Sequence, residues 1–182
     1  MSKAIGMVEY VTVSTGISAA DTIVKTADVD IIEAQTVCPG KYIVIISGEL
    51  SAVRAAIDAS KAKYDEKLID SFVLGNPHDS IFSAIYGTTG IEGVEALGVL
   101  ETYSAASIIV AADVAAKTAM VDLIELRIAK GMCGKSYMLI TGSVASVTAA
   151  IEKTKSQIAE NGFFLDSAVI PRPDPKLWQT LV

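Results

Sequence analysis

Cysteine, histidine and aromatic residues are scarce in this chain. Its 182 residues include two cysteines, one histidine and one tryptophan, and aromatic residues make up 6% of the total. Two cysteines do not make a disulfide framework, and the sequence contains neither a Cys-x-x-Cys motif nor a cluster of Cys and His. A metal site would therefore have to take ligands from more than one chain.

Basic residues and long apolar runs are also few. The chain has 15 basic against 21 acidic residues and a net charge of -6, so we expect no broad basic face for nucleic acid. Apolar runs such as 42–46 and 105–112 are far shorter than the ~20 residues that span a bilayer. The first ten residues follow a strand pattern without the apolar region of a signal peptide. We therefore expect a cytoplasmic protein with no membrane partner.

The chain contains an internal repeat that covers nearly its whole length. A-I-G-M-V-E at 4–9 returns as A-L-G-V-L-E at 96–101, and A-A-D-T-I-V-K-T-A-D-V-D at 19–30 returns as A-A-D-V-A-A-K-T-A-M-V-D at 111–122. At this offset of 92, 14 of the 31 positions in 4–34 are identical. Such self-similarity indicates two copies of one structural unit.

The offset between the copies grows twice along the chain. It is 94 where Gly40 matches Gly134, so the second copy carries two extra residues in the stretch that corresponds to the one holding Cys38. It is 96 where V-L-G-N-P-H at 73–78 matches V-I-P-R-P-D at 169–174. The insertions leave the order of the segments unchanged, which predicts the same fold for both copies.

Strand and helix patterns alternate within each copy. For the first copy the sequence predicts a strand over 5–10, a helix over 16–27, strands over 30–37 and up to Gly48, a helix over 50–63, a strand over 67–74 and a short closing helix after Pro77. This order predicts an α/β fold with one mixed sheet and packed helices in each copy. The glycine-rich stretch between the copies predicts a linker, so we divide the chain into domain 1 at 1–86, a linker at 87–94 and domain 2 at 95–182.

The repeated unit resembles the shell-protein domain of bacterial microcompartments. The matching features are the A-x-G-x-[VL]-E strand, the A-A-D-x-x-x-K-x-A-x-V-D segment, the Gly-Lys before the third strand, the Gly48 and Gly142 turns, and V-I-P-R-P at 169–173. Two domains in series resemble the trimeric tandem subclass of this family. That resemblance implies a homotrimer that forms a pseudohexameric tile with a threefold axis through its centre.

The same resemblance implies a role for Cys38 in T-V-C-P-G-K, residues 36–41. This stretch resembles that of a propanediol-utilisation member of the subclass, whose corresponding cysteine lies on the threefold axis and binds a [4Fe-4S] cluster. Cys38 from three chains would then hold one cluster per trimer through three cysteine ligands, since such clusters are held by thiolates. Zinc bound by three thiolates and water is an alternative. So are the absence of metal and a role for Cys38 as a small apolar side chain.

Other residues take expected roles from the resemblance. Lys25 and Lys117 resemble lysines of the tile edge, and each also lies four residues after an aspartate, as in an ordinary exposed helix pair. Arg172 resembles the edge arginine, although the first copy has Asn76 at that position. Cys133 aligns with Pro39 rather than with Cys38, and we expect it to be a bystander near the axis. The expected pore-loop residues are Val37, Pro39, Gly40, Gly131, Met132, Cys133 and Gly134.

These observations predict a structural protein rather than an enzyme. We expect a shell component whose partners are copies of itself, other shell proteins and enclosed redox enzymes, with the cluster serving electron transfer or cluster delivery across the shell. A metal-free tile with a central metabolite pore is the alternative. A soluble enzyme with an active site between the repeats is a third hypothesis, but the sequence contains no catalytic constellation around His78 and no Walker or dinucleotide-binding motif.

Overall fold

One order of strands and helices occurs twice in residues 4–87 and 93–181, which the computed structural model describes. The first copy consists of β1 (Ala4–Tyr10), α1 (Val13–Thr26), β2 (Asp30–Val37), β3 (Lys41–Gly48), α2 (Leu50–Tyr64), β4 (Leu68–Leu74) and α3 (Ser80–Ile85). The second consists of β5 (Ala96–Thr102), α4 (Ala105–Thr118), β6 (Val121–Arg127), β7 (Ser136–Gly142), α5 (Val144–Ala159), β8 (Phe164–Pro171) and α6 (Pro175–Leu181). The predicted elements of the first copy all form, with α1 beginning three residues earlier than expected.

Each copy builds one four-stranded sheet, in the order β2-β3-β1-β4 and β6-β7-β5-β8. The three pairings within each sheet are all antiparallel, so the expectation of a mixed sheet is wrong. The reason is that β3 lies between β1 and β2 and runs opposite to both. The crossover through α1 therefore joins two parallel strands that are not neighbours.

The strand registers confirm the internal repeat and both of its insertions. Ala4 pairs with Gly48 and Ala96 with Gly142, which reproduces the offsets of 92 and 94. Leu74 pairs with Ile5 in the first sheet as Ile170 pairs with Leu97 in the second, which reproduces the offset of 96. The irregularity in β2 after Ile31 also recurs in β6 after Leu123.

By their contacts, the described residues fall into two units. Unit 1 comprises residues up to Pro77 together with Ser104–Ala106 and Ala129–Gly134. Unit 2 comprises His78–Tyr103, Ser107–Ile128 and the chain from Lys135 onward. The predicted division at 1–86, 87–94 and 95–182 stays a prediction, and residues 88–92 of the expected linker lie outside the described residues.

The short helix after Pro77 forms as predicted but belongs to unit 2. There α3 packs on β6, and its Ile81 and Ala84 are buried. The expectation that this helix closes the first copy is therefore wrong. Sequence spacing shows that the helix has an apolar side, but it does not show which sheet covers that side.

Helices pack against the sheet of each unit, and in unit 2 they lie on both faces, with α5 against Gly98 and α6 against Leu97. In unit 1 the core contains Val8, Val44 and Ile46 from the strands with Ile23 from α1 and Ile57 from α2. In unit 2, Trp178 and Leu181 of α6 pack against Leu97, Ile124 and Leu139 of the sheet. Trp178 thus anchors the C-terminal helix.

Candidate functional site

Cys38 lies on the short turn between β2 and β3. The turn consists of Cys38, Pro39 and Gly40, and it closes with a hydrogen bond in which the Gly40 N–H donates to the Val37 carbonyl at 2.9 Å. Gly40 has a φ of 97°, in the region that favours glycine. The Cys38–Pro39 peptide bond is cis. The turn therefore holds Cys38 at the end of the sheet instead of among the core side chains.

The equivalent loop of the second copy, residues 128–135, is longer and irregular. Ala129, Gly131, Cys133 and Gly134 all have positive φ values in this loop. The two additional residues predicted from the sequence lie here, between β6 and β7. The loop thus curls instead of making a second tight turn.

The two loops meet within unit 1. The Cys38 N–H donates to the Ala129 carbonyl at 3.1 Å. Gly134 lies so close to the turn that a β-carbon on it would come 2.9 Å from the Cys38 carbonyl oxygen and 2.9 Å from the Lys41 side chain. The backbone of Cys38 is therefore positioned by both copies of the repeat.

An open cleft of about 440 Å³ lies over this junction. Its walls come from both loops, and the lining residues are Thr36, Val37, Cys38, Pro39, Gly40, Lys130 and Gly131. Five of these were predicted as site residues. Thr36 and Lys130 were not predicted. The available signal for Lys130 was its position directly before Gly131, an expected pore-loop residue.

The cations near the cleft are paired with carboxylates. Lys130 donates to Glu33 at 3.0 Å, and Lys41 pairs with Glu9, which is fully buried. Sequence reasoning also missed Glu9, a charged residue in an otherwise apolar strand.

Cys38 is half-buried and Cys133 is exposed, and both thiols are free. Within the described residues, no group of three or more His, Cys, Asp or Glu side chains is placed to hold a metal ion. If Cys38 is a metal ligand, the other ligands therefore lie outside the described residues of its own chain. Its place on a turn beside an open cleft, outside the hydrophobic core, fits a ligand that is shared between chains.

The residues predicted for the tile edge, Lys25, Lys117 and Arg172, are all exposed, but their interaction partners differ. Lys25 pairs with the exposed Asp21 at 2.7 Å, as in an ordinary i,i+4 helix pair. Lys117 pairs with Asp113 at 2.6 Å, but Asp113 is buried and also accepts the His78 N–H at 2.8 Å. Arg172 is exposed, with its N–H bonded to the Glu95 carbonyl. Their role at a tile edge stays a prediction.

The family model for the BMC domain matches the chain twice, at residues 4–77 and 96–173. The chain belongs to the BMC-domain family. Both matches coincide with the repeats found in the sequence and with the two four-stranded sheets, and this confirms the tandem arrangement of BMC domains.

Similar proteins match this BMC-domain chain over all or most of its length. It is 36% identical to the bacterial microcompartment shell protein PduT of Citrobacter freundii, over 100% of this chain and 99% of the relative. A microcompartments protein from Desulfitobacterium hafniense DCB has a crystal structure that matches with a TM-score of 0.88 and 44% identity, over 98% of this chain and 99% of the other. The fused permuted hexameric shell protein MSM0275 from the RMM microcompartment shares the fold, with a TM-score of 0.68 and 22% identity over 87% of this chain and 84% of that one.

The chain is therefore a shell protein of a bacterial microcompartment. Its relatives are structural shell proteins, as expected for a protein that is not an enzyme. Across the described residues, no helix has the length and apolar character needed to cross a bilayer.

Proposed function

We propose that three copies of this chain form a shell tile in which the Cys38 side chains hold one [4Fe-4S] cluster on the threefold axis. The position of Cys38 carries this proposal: a half-buried thiol on a three-residue turn at the mouth of an open cleft, with its backbone held by Ala129. Thiolates are the usual ligands of such clusters. Three cysteines would leave one iron to a ligand that the protein does not supply.

The cluster would supply one-electron redox chemistry at the centre of the tile. The role of this chain is to present Cys38 on a rigid turn, and the Ala129 carbonyl and the close approach of Gly134 limit the movement of that turn. A redox group in a shell serves either to pass electrons to enclosed redox enzymes or to deliver clusters to them. Both roles need the tile to remain intact with other shell proteins around it.

The first experiment measures iron and sulfide in anaerobically purified protein. We expect about four of each per three chains, and their loss in Cys38→Ser while the variant still sediments as a trimer. Cys133→Ser is the matched control and should keep its iron. Iron that persists in Cys38→Ser, or zinc in place of iron, would contradict the cluster.

A second experiment separates conduction from delivery. A redox dye enclosed in intact shells should be reduced from outside when Cys38 is present, and reduction should stop in Cys38→Ser shells of unchanged assembly. An unchanged rate of dye reduction would argue against conduction and leave delivery as the role.

A metal-free tile with a central pore is the second candidate, favoured by the open cleft with Thr36 and Lys130 in its wall. Such a tile would be colourless and free of metal after anaerobic purification. Metabolite passage through its shells would then change in Lys130→Ala but not in Cys38→Ser.

A further inference from the structure

The turn that carries Cys38 has no backbone donor left for its own sulfur. The Cys38 N–H donates to the Ala129 carbonyl and the Gly40 N–H to the Val37 carbonyl, while Pro39 has no N–H to offer. Hydrogen bonds to the sulfurs are among the factors that set the reduction potential of an iron-sulfur cluster. Backbone donors for sulfur at Cys38 must therefore come from another segment.

Loop 128–135 of the second copy has the opposite property. Among the described backbone hydrogen bonds, none has an N–H of residues 130–134 as its donor. The φ value is positive at three alternate positions, Ala129, Gly131 and Cys133, and the two residues between them lie outside the positive range. Such alternation turns successive N–H groups toward one side of the backbone and forms a concave surface that binds anions, as in many iron-sulfur sites. The loop thus offers several donors where the turn offers none.

The loop lies against the turn at one end and beside the cleft in its middle. A β-carbon on Gly134 would come 2.9 Å from the Cys38 carbonyl oxygen, whereas one on Gly131 would meet nothing within 4 Å. Cys38 and Gly131 line the same open cleft. The unused N–H groups therefore belong to the segment that shares a cleft with the thiol.

The charge of this cleft also suits an anion. The chain has 21 acidic residues, yet the described residues that line the cleft include one cation, Lys130, and no carboxylate. The Lys130 side chain is 55% exposed and donates to Glu33 at 3.0 Å. An exposed ion pair of this kind is weak, so the ammonium remains available to an anion in the cleft.

We propose that loop 128–135 is the hydrogen-bond donor for anionic sulfur at Cys38, through the backbone N–H groups of residues 130–134 and the Lys130 ammonium. In the loaded protein this sulfur belongs to the cysteine thiolates and to the sulfides of the cluster, so the role rests on the cluster proposed above. Donors and a positive charge favour the reduced, more negative state and therefore raise its reduction potential. One copy of the repeat then supplies the ligand and the other copy supplies the donors.

The donors can be tested without the cluster, in metal-free Cys38→Ser protein. Glycine is labelled with nitrogen-15, and the carbonyl carbon of Lys, Cys or Pro with carbon-13, because these residue types each precede a single glycine: Gly131, Gly134 and Gly40 respectively. The probe is thiosulfate, a small anion with a terminal sulfur. It should shift the amide signals of Gly131 and Gly134 with one dissociation constant and leave that of Gly40, whose N–H is already bonded, in place. Unmoved signals of Gly131 and Gly134 would overturn the proposal.

Two charge variants should change the affinity for thiosulfate in opposite directions. Lys130→Ala should weaken binding about threefold, and Glu33→Gln, which frees the ammonium from its carboxylate, should tighten it about twofold. The matched control is Lys25→Ala on α1, which also removes an exposed lysine from an ion pair and should leave the affinity unchanged. Equal effects of Lys130→Ala and Lys25→Ala would contradict a local role for Lys130.

The same variants are then compared in the iron-loaded protein. A redox titration followed by electron paramagnetic resonance should give a lower midpoint potential in Lys130→Ala and a higher one in Glu33→Gln than in the wild type, at equal iron and sulfide content. Lys130→Arg keeps the charge and should keep the potential. A purely structural role for these residues would alter the iron content without opposite shifts in potential, and equal potentials in all variants would refute the donor role.

The outcomes separate this inference from the cluster itself. A native protein without iron would end the proposed cluster, and the glycine signals would still decide whether the loop donates to an anion. Iron-loaded trimers with equal potentials, and with unmoved glycine signals in the metal-free form, would keep the cluster and end the role of the loop.

Discussion

Gly16 of α1 lies directly against Tyr42 of β3, so that a β-carbon on Gly16 would come 2.3 Å from the Tyr42 Cβ. The corresponding residues of the second copy are Ile108 and Ser136, where the large residue is on the helix and the small one on the strand. Both are fully buried. The two copies thus fill the same part of the core with an exchanged pair of side chains, as close packing requires.

Exchanging the two side chains of this pair in the first copy should be tolerated by the fold only when both residues are changed together. Gly16→Ile alone should lower the free energy of unfolding by about 3 kcal/mol or more because it overfills the core, and Tyr42→Ser alone by about 3 kcal/mol because it opens a cavity. The double variant should recover at least about 1 kcal/mol relative to the sum. Urea unfolding measures all three, and strictly additive losses would refute the compensation.

Gly134 should control the position of the Cys38 turn. Gly134 and Gly131 both have positive φ values, of 86° and 72°, but only the β-carbon added at Gly134 would meet a neighbour, the Cys38 carbonyl. In metal-free Cys133→Ser protein, Gly134→Ala should therefore raise the reaction rate of Cys38 with a thiol reagent several-fold. Gly131→Ala carries a similar backbone cost of about 1 kcal/mol and should change that rate by less than about twofold; equal changes would argue against a specific contact.

A buried hydroxyl group has a hydrogen-bond partner in the first copy but none among the described residues in the second. Removing this hydroxyl should therefore change the free energy of unfolding differently in the two copies. Ser60 and Tyr10 share a buried hydrogen bond of 2.7 Å, while the Thr154 hydroxyl, at the position corresponding to Ser60, is buried with no partner among the described residues. Ser60→Ala should cost about 1–3 kcal/mol because Tyr10 loses its partner. Thr154→Val should be neutral or raise the free energy of unfolding, since it removes an unsatisfied group. A clear loss in Thr154→Val would show that the hydroxyl has a partner.

The phenol of Tyr137, on β7, should make the free energy of unfolding fall at alkaline pH. Burial, with help from the hydrogen bond to Glu125, raises the pKa of Tyr137 from 10.0 to about 12. The folded protein therefore holds the phenol proton that the unfolded chain releases, so this contribution is complete below pH 10 and is lost as the pH rises to about 12. Ultraviolet titration and urea unfolding between these pH values should show a smaller loss in Tyr137→Phe. Tyr103→Phe, at a half-exposed tyrosine, is the control.

Much of the fold follows from the repeat in the sequence. Every strand of the first copy was predicted from its apolar pattern, and the offsets of 92, 94 and 96 appear again as strand registers. The sheet type was predicted wrongly because alternation of strands and helices favours parallel neighbours, and the placement of β3 between β1 and β2 leaves no local signal. The partner of α3 was missed for the same reason.

The site was predicted less completely than the fold. The sequence indicated that Cys38 lies on a turn, but not that the Ala129 carbonyl anchors it, because this contact joins residues that are far apart in the chain. It also could not distinguish Glu9 from Glu101. Both follow G-x-[VL], yet one is fully buried and paired while the other is only half-buried, a difference that depends on tertiary contacts and not on local pattern.

The loops after β2 and β6 have diverged to three and eight residues. A gene that encodes one domain gives every copy the same loop, so a tight turn and a longer loop could not both occur in its assemblies. Fusion of two domains into one chain removes that constraint, and a substitution in either loop alters only one of the two domains of each chain. For protein engineering, loop 128–135 is therefore a position where new groups can be introduced while the cysteine turn keeps its own sequence.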